Sequence, residues 1–220
     1  MINLVLITSI IKTPNIELSN IKTRSVFSHD ERYTQTKQTI KSVKEKIPNC
    51  KIILVECSDL TEDQNTYFNT NSDYFINLIN NNELKENIYS KSKSLGEGTM
   101  TISALEYITN NNIKYDNLIK LSGRYLLSPR FDYNKYNNNN IIIKSINSNS
   151  VITALYKLPY NYVNEYYIFL KSNINNMINC IGFEILFSIF LKTININNIT
   201  ECDPIGFQGN VSVSNDFYDG

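Results

Sequence analysis

Four short segments carry the residue types from which a phosphate-handling site is built: Thr8-Ser9, Glu56-Cys57-Ser58, Gly96-Glu97-Gly98 and Ser122-Gly123-Arg124. Each lies beside an apolar run that reads as a buried strand or its following helix, and in open α/β sheets ligands gather at the carboxyl ends of the strands. Arginine is scarce, with only Arg24, Arg32, Arg124 and Arg130. Arg124 follows a strand directly and a glycine immediately, where a planar, permanently charged fork suits bidentate phosphate recognition. The competing role is an ion pair with an acid at the sheet edge. Arg32, in the first turn of a helix, either reaches the same cleft or is solvated. Lys91 and Lys93 are placed to contact a pyrophosphate or to lie in water. Glu184 sits between Phe183 and Ile185 in an apolar segment. Desolvation there raises a carboxyl toward the pKa of a general base, and the alternative is a salt-bridged acid at a helix edge.

Other chemistries are missing. No G-x-G-x-x-G fingerprint follows the first strand and there is no P-loop, which argues against nicotinamide dehydrogenases and P-loop kinases. There is no G-x-S-x-G elbow, and the single His29 lies in a polar stretch, so a Ser-His-acid hydrolase is a poor reading. Cys50, Cys57, Cys180 and Cys202 lack C-x-x-C spacing, so no zinc site is expected. They read instead as small hydrophobes in a reducing compartment. The 21 basic and 21 acidic residues cancel, which argues against a duplex nucleic-acid partner. No polybasic tract suggests a lipid surface. The N-terminus lacks the basic flank of a signal peptide, and the apolar run ending at Ile11 is too short to span a bilayer. The expectation is a chain without a transmembrane segment, in the cytoplasm. Nothing in the sequence selects an oligomeric state.

Asn (34) and Ile (32) dominate the 220 residues while Ala occurs twice, a profile of A/T-rich codons that suggests a large DNA virus, a phage or another AT-rich genome. Runs such as Asn137 to Asn140 therefore carry little functional weight.

The elements that must position these residues begin with Leu4 to Ile11, apolar and β-branched as expected of a central parallel strand. A helix is predicted from Asp30 to Ile47, with Ile40, Val43 and Ile47 on one face and Pro48 as its stop. Lys51 to Val55, a short helix from Thr61 to Phe68 capped by Asp59 or Thr61, and a strand from Asp73 to Leu78 complete a β-α-β-α-β series. A polar linker (Asn80 to Ser92), a helix (Thr99 to Asn110) and a strand (Asn117 to Leu121) follow. Thereafter Ile141 to Ile146, Val151 to Leu158 and Tyr166 to Leu170 are strand-like, Asn176 to Thr193 reads as one helix, and Ile196 to Cys202 as a last strand.

Two stretches carry a family resemblance. Leu95 to Tyr125 reads L-G-E-G-x₅-A-L-E-Y-I followed by Y-D-N-L-I-K-L-S-G-R-Y. It resembles the segment of GT-A-fold glycosyltransferases in which a Gly-led helix with an inward Ala precedes the strand that ends in the DxD motif. Ser25 to Val43 and Ile47 to Ser58 are similar to the first helix and second strand of such proteins. The resemblance extends to GT-A-like glycosyltransferases of large DNA viruses and some bacteria, with an SGRY-like strand end and a later G-F-E helix, here Gly182-Phe183-Glu184. It implies a single α/β domain over 1–220 with a mixed, mainly parallel central sheet flanked by helices. Residues 1–127 would bind the nucleotide sugar and 128–220 the acceptor side. By the same resemblance Thr8, Ser9 and Glu56 would line the base and ribose pocket. Lys93, Gly96 and Glu97 would approach ribose and diphosphate, and Glu184 would be the base of an inverting transfer to a glycan or other hydroxyl acceptor. Where DxD should stand this chain has Ser122-Gly123-Arg124, so Mn or Mg is left open: either Arg124 neutralises the leaving diphosphate, or other acids such as Asp73 hold a metal. Two further readings remain: a degenerate relative that only binds glycan or nucleotide, and an S-adenosylmethionine-dependent methyltransferase, whose Gly-rich first loop is absent from Thr8 to Leu18.

Overall fold

Capping and apolar periodicity build the first half much as the sequence predicts. In the computed structural model, which describes residues 1–194 and 198–220, the chain opens with β1 (Asn3–Ser9), α1 (His29–Lys46), β2 (Cys50–Glu56), α2 (Glu62–Asn71) and β3 (Tyr74–Asn77). The Ser28 hydroxyl accepts from Glu31 N, and the Glu31 carboxylate accepts from Ser28 N, so a reciprocal capping box starts α1. Thr61 and Gln64 repeat the device on α2, which assigns the cap to Thr61 rather than Asp59. The chain leaves α1 at Ile47, just before Pro48.

The next helices depart from expectation. The linker predicted from Asn80 to Ser92 contains α3 (Asn82–Tyr89), and α4 (Lys93–Asn110) starts six residues before Thr99. Gly96, Glu97 and Gly98 therefore lie inside the first two turns of α4. Two glycines in three residues read as a loop because glycine disfavours helix, but packing overrides that preference. A Cβ on Gly96 would meet the Ile88 carbonyl oxygen at 2.9 Å, and one on Gly98 would meet the Met177 sulfur at 2.2 Å.

After β4 (Asn117–Ser122) come β5 (Leu126–Leu127), α5 (Tyr133–Tyr136), β6 (Ile141–Ile143), β7 (Ser145–Asn147), β8 (Ser150–Val151) and β9 (Leu155–Pro159). The chain then forms α6 (Tyr160–Ser172), α7 (Ile174–Ile178), α8 (Phe183–Thr193), β10 (Ile199–Glu201), β11 (Phe207–Asn210) and β12 (Phe217–Asp219). The strand expected over Tyr166 to Leu170 is part of α6, where Val163, Tyr166 and Leu170 are buried at spacings of three and four. The helix expected over Asn176 to Thr193 is broken between α7 and α8, where Cys180 takes a left-handed φ of 63°. Of the strand expected over Ile196 to Cys202, β10 is seen; residues 195–197 lie outside the described residues.

Seven strands form the central sheet in the order β10-β6-β9-β4-β1-β2-β3. β9 runs antiparallel to β4 and β6, and the other pairings are parallel. This is the mixed, mainly parallel sheet the sequence predicts. Alternate residues of each strand enter opposite apolar layers. Leu4, Leu6 and Leu118 pack with α4 and α8, while Val5, Ile7 and Ile119 pack with α1. No helix among the described residues is long and apolar enough to cross a membrane.

Candidate functional site

The carboxyl ends of β1 and β4 touch. Gly123 N donates to Thr8 O at 2.8 Å, and a Cβ on Gly123 would lie 2.9 Å from Ser9 Cβ. Gly123 thus serves the approach of one strand end to another, and Gly96 serves the α3–α4 crossing. At these strand ends lies a cleft of about 840 Å³, the open solvent at its mouth included. Nine of the residues singled out in the sequence line it. Thr8 and Ser9 come from β1, Arg32 from α1, Lys93, Gly96 and Glu97 from α4, and Ser122, Gly123 and Arg124 from the end of β4. Ile10, Leu18, Ile88 and Met100 supply apolar wall, and Ser212 and Val213 reach in from the C-terminal segment. That segment is held there by a Val26 N to Ser212 O bond of 2.8 Å.

The cleft is cationic. Arg32 Nε donates to Ile10 O at 2.6 Å and Nη1 to Ser25 Oγ at 3.3 Å. Burial, then the neighbouring Arg124, pulls its pKa down to about 10, against the pull of Glu56, so it stays charged at neutral pH. Arg124 lies with its guanidinium 5.0 Å from the Tyr125 ring centroid, and among the described residues neither it nor Lys93 has a carboxylate within ion-pair distance. Arg24, by contrast, is spent on the backbone: it donates to the carbonyls of Ile16, Ile88 and Ser90. Arg130 faces Asp219 at 3.1 Å on the surface.

Sequence reasoning missed Lys120. Its ammonium is fully buried on β4 and has three acceptors: Glu97 Oε1, Ser122 Oγ at 2.8 Å and Thr153 O at 2.8 Å. Burial lowers the lysine's pKa, with Glu97 opposing. Burial by itself would raise the Glu97 carboxyl, but Lys120, Lys93 and Arg124 together outweigh it and the acid is held below its usual range. Glu97 lines the main cleft and both hollows that adjoin it. A lysine inside the apolar strand N-L-I-K-L was the available signal, since a buried charge requires a partner.

Glu56 does not line the cleft. At the end of β2 it is wholly buried, and its Oε1 accepts from Ile11 N (3.1 Å), Cys57 N (3.0 Å) and Ser58 Oγ (2.6 Å). It fixes the turn after β1, and burial pushes its pKa up to about 7. Ser9 is committed as well, its hydroxyl 2.9 Å from Thr36 Oγ1. Glu184 lies in the first turn of α8 rather than in a helix interior. It lines the two side hollows, both of which share Lys93 and Glu97 with the main cleft. Thr153 Oγ1 stands 3.5 Å from its Oε1. Asp73 is remote: it precedes β3, at the opposite end of the strands, and accepts from Ile52 N at 2.8 Å.

The residues at the end of β4 do not fit the divalent cation that a DxD site would hold. Magnesium and manganese need free carboxylate oxygens. Here Glu97 Oε1 and Ser122 Oγ already accept from Lys120, and Arg124 stands beside them. No group of three His, Cys, Asp or Glu side chains comes together among the described residues.

No protein-family model and no curated protein matches the sequence. Solved structures match the fold. Core-mannan synthase A from Aspergillus fumigatus, in a Mn/GDP form, is similar over 100% of this chain and 81% of its own, at 11% identity and TM-score 0.59. CTP:phosphocholine cytidylyltransferase from Streptococcus pneumoniae covers 98% and is covered to 96%, at 10% identity and TM-score 0.56. A glycosyltransferase involved in glycosylation of the major capsid of PBCV-1 covers 93% and is covered to 83%, at 9% identity and TM-score 0.51. The fold is that of the GT-A nucleotide-diphospho-sugar transferases.

Proposed function

We propose that this chain is a glycosyltransferase that moves a sugar from a nucleotide-sugar donor to a hydroxyl of a glycan or other acceptor, and that fixed cations take up the charge of the leaving diphosphate. One observation carries the proposal: Lys93, Glu97, Ser122 and Arg124 line both the donor cleft and an adjoining hollow that contains Glu184. A bond broken at that boundary has cations on the leaving-group side and a carboxylate on the other. In this reading the nucleoside lies against Thr8 and the apolar wall, and Arg124, Arg32 and Lys93 face the phosphates. Glu184 takes the proton of the acceptor hydroxyl as its oxygen attacks the anomeric carbon. The electron pair of the breaking bond goes to the diphosphate, whose charge grows in the transition state, where preorganised cations act most strongly.

Residues 1–127 supply nearly all of the donor cleft, so the proposed division is a donor half and, over 128–220, an acceptor half within one domain. The free state of all four cysteines supports a reducing, cytoplasmic setting, the host's if the chain is viral. The donor set of the cleft does not suit Mn or Mg, and in this reading the side-chain cations take that part. S-adenosylmethionine, a sulfonium cation, is disfavoured by the same positive lining. The missing acid pair favours one second reading, a relative that binds nucleotide or glycan without turnover, and the cytidylyltransferase likeness is a reminder that fold alone does not choose the reaction. Thermal-shift screening with UDP-, GDP- and CMP-sugars and S-adenosylmethionine, with and without Mn²⁺, followed by hydrolysis assays on whatever binds, tests the proposal. Slow release of the sugar from a bound nucleotide supports it. Binding without release under every condition points to the second reading, and stabilisation by S-adenosylmethionine alone defeats both.

A further inference from the structure

We infer that the acceptor is amphipathic, its reactive hydroxyl carried on an apolar body, alkyl or aryl, rather than on a free polyhydroxylated sugar chain. This rests on the transfer reading above, because it concerns the hollow that adjoins the donor cleft. That hollow, about 540 Å³ with its open mouth included, is two-ended in chemistry. The four residues it shares with the donor cleft are all polar, and Glu184 stands with two of them, Lys93 and Glu97, in a second hollow of similar size as well. The rest is largely apolar. Ile146 and Ile152 come from the β7–β8 hairpin, while Phe207, Val211 and Tyr218 come from the C-terminal hairpin. The Phe207 ring stacks on Tyr218 at 4.9 Å, with Tyr125 edge-on to it at 4.9 Å, which gives a rigid aromatic wall.

The composition sharpens the point. Asn makes up 34 of the 220 residues, yet no Asn, Gln or Asp is among the described residues that line this hollow. The amide side chains that this composition supplies most readily are absent there, and the charged groups are gathered at the end shared with the donor cleft and at Glu184. The apolar lining reaches the surface at Ile146, which is 56% exposed. An acceptor with its hydroxyl at Glu184 therefore finds apolar contact for its body within the hollow and along the rim, and burying that body is favourable in proportion to its area.

The test is equilibrium binding to the full chain of methyl, phenyl and octyl β-D-glucosides, the octyl compound kept below its micelle concentration, with GDP and UDP as probes of the donor cleft. The expected result is that the phenyl or octyl compound binds at least ~10-fold more tightly than the methyl one. Ile146→Asn, at an exposed rim position that the folded core does not need, should erase most of that advantage and leave nucleotide affinity unchanged. An octyl advantage alone assigns an alkyl body and a phenyl advantage alone an aryl one; either supports the inference. Equal binding by all three, no binding by phenyl and octyl, or an advantage that survives Ile146→Asn overturns it. Failure of the transfer reading has a separate signature: no nucleotide sugar is hydrolysed, whatever the glucoside series does.

Discussion

Two lysines are buried completely in the central sheet, and they make different use of the same physics. Lys120 on β4 and Lys157 on β9 lie one register step apart, opposite Tyr156 and Ile119 respectively, so their ammonium groups enter opposite apolar layers. Lys157 donates to Tyr136 O (2.8 Å), Asn138 O (2.6 Å) and Asn138 Oδ1 (2.9 Å). It ties down the Asn-rich loop, and burial lowers its pKa to about 8. Lys120 instead meets a carboxylate that looks into three adjoining cavities. Burial of a charge does not by itself mark a functional site. A partner that is also open to a ligand is the better sign, and it is at the carboxyl end of β4 that the proposed site lies.

The largest expected effect separates the two. Lys120→Met strands Glu97 without its cation and should destabilise the fold by about 3–5 kcal/mol, with turnover down ~10²-fold or more. Adding Glu97→Gln should restore most of the melting temperature and none of the turnover. Lys157→Met leaves Asn138 O without its donor, while Tyr136 O and Asn138 Oδ1 keep Asn138 N and Asn140 N; it should cost about 1–3 kcal/mol, yet activity per folded molecule should stay within about twofold of the parent, because catalysis follows contact with the reacting groups. If chemical denaturation and initial rates rank the two lysines the other way, the comparison is wrong. Glu184→Gln, in a half-exposed first turn, should barely move stability and lower turnover ~10²-fold.

The smallest effect concerns Glu56, whose folded pKa of about 7 exceeds the ordinary 4.5. The folded state then holds a proton that the unfolded chain has released, so this residue's contribution is full below pH 4.5 and lost as pH rises toward 7. Glu56→Gln should flatten that part of the melting-temperature profile between pH 4.5 and 7. An unchanged slope would mean that Glu56 ionises normally.

The parallel first half was legible because its strands are uninterrupted apolar runs and its helices carry caps at the right spacing. That Arg124, Arg32, Lys93 and the two strand ends share one cleft was legible because loops and helix N-termini converge at the carboxyl edge of such a sheet. What escaped depended on partners distant in sequence. Gly96 and Gly98 looked like a loop until Ile88 and Met177 were seen packed against them. Glu56 looked like a ligand-facing acid, but the backbone of Ile11, across the neighbouring strand end, claims it. Tyr166 to Leu170 has β-forming composition, and only burial at helical spacing identifies α6.

The central claim is that fixed side-chain cations hold the diphosphate without a divalent metal. Calorimetric titration of GDP and UDP in EDTA, on the parent chain and on Arg124→Ala, tests it most directly. The account predicts that at least one of the two binds in EDTA, that added Mn²⁺ changes its affinity by less than about threefold, and that Arg124→Ala weakens it at least ~10-fold, the worth of one charge-assisted hydrogen-bonded contact. Binding that begins only when Mn²⁺ is added, and that ignores the loss of Arg124, would contradict it.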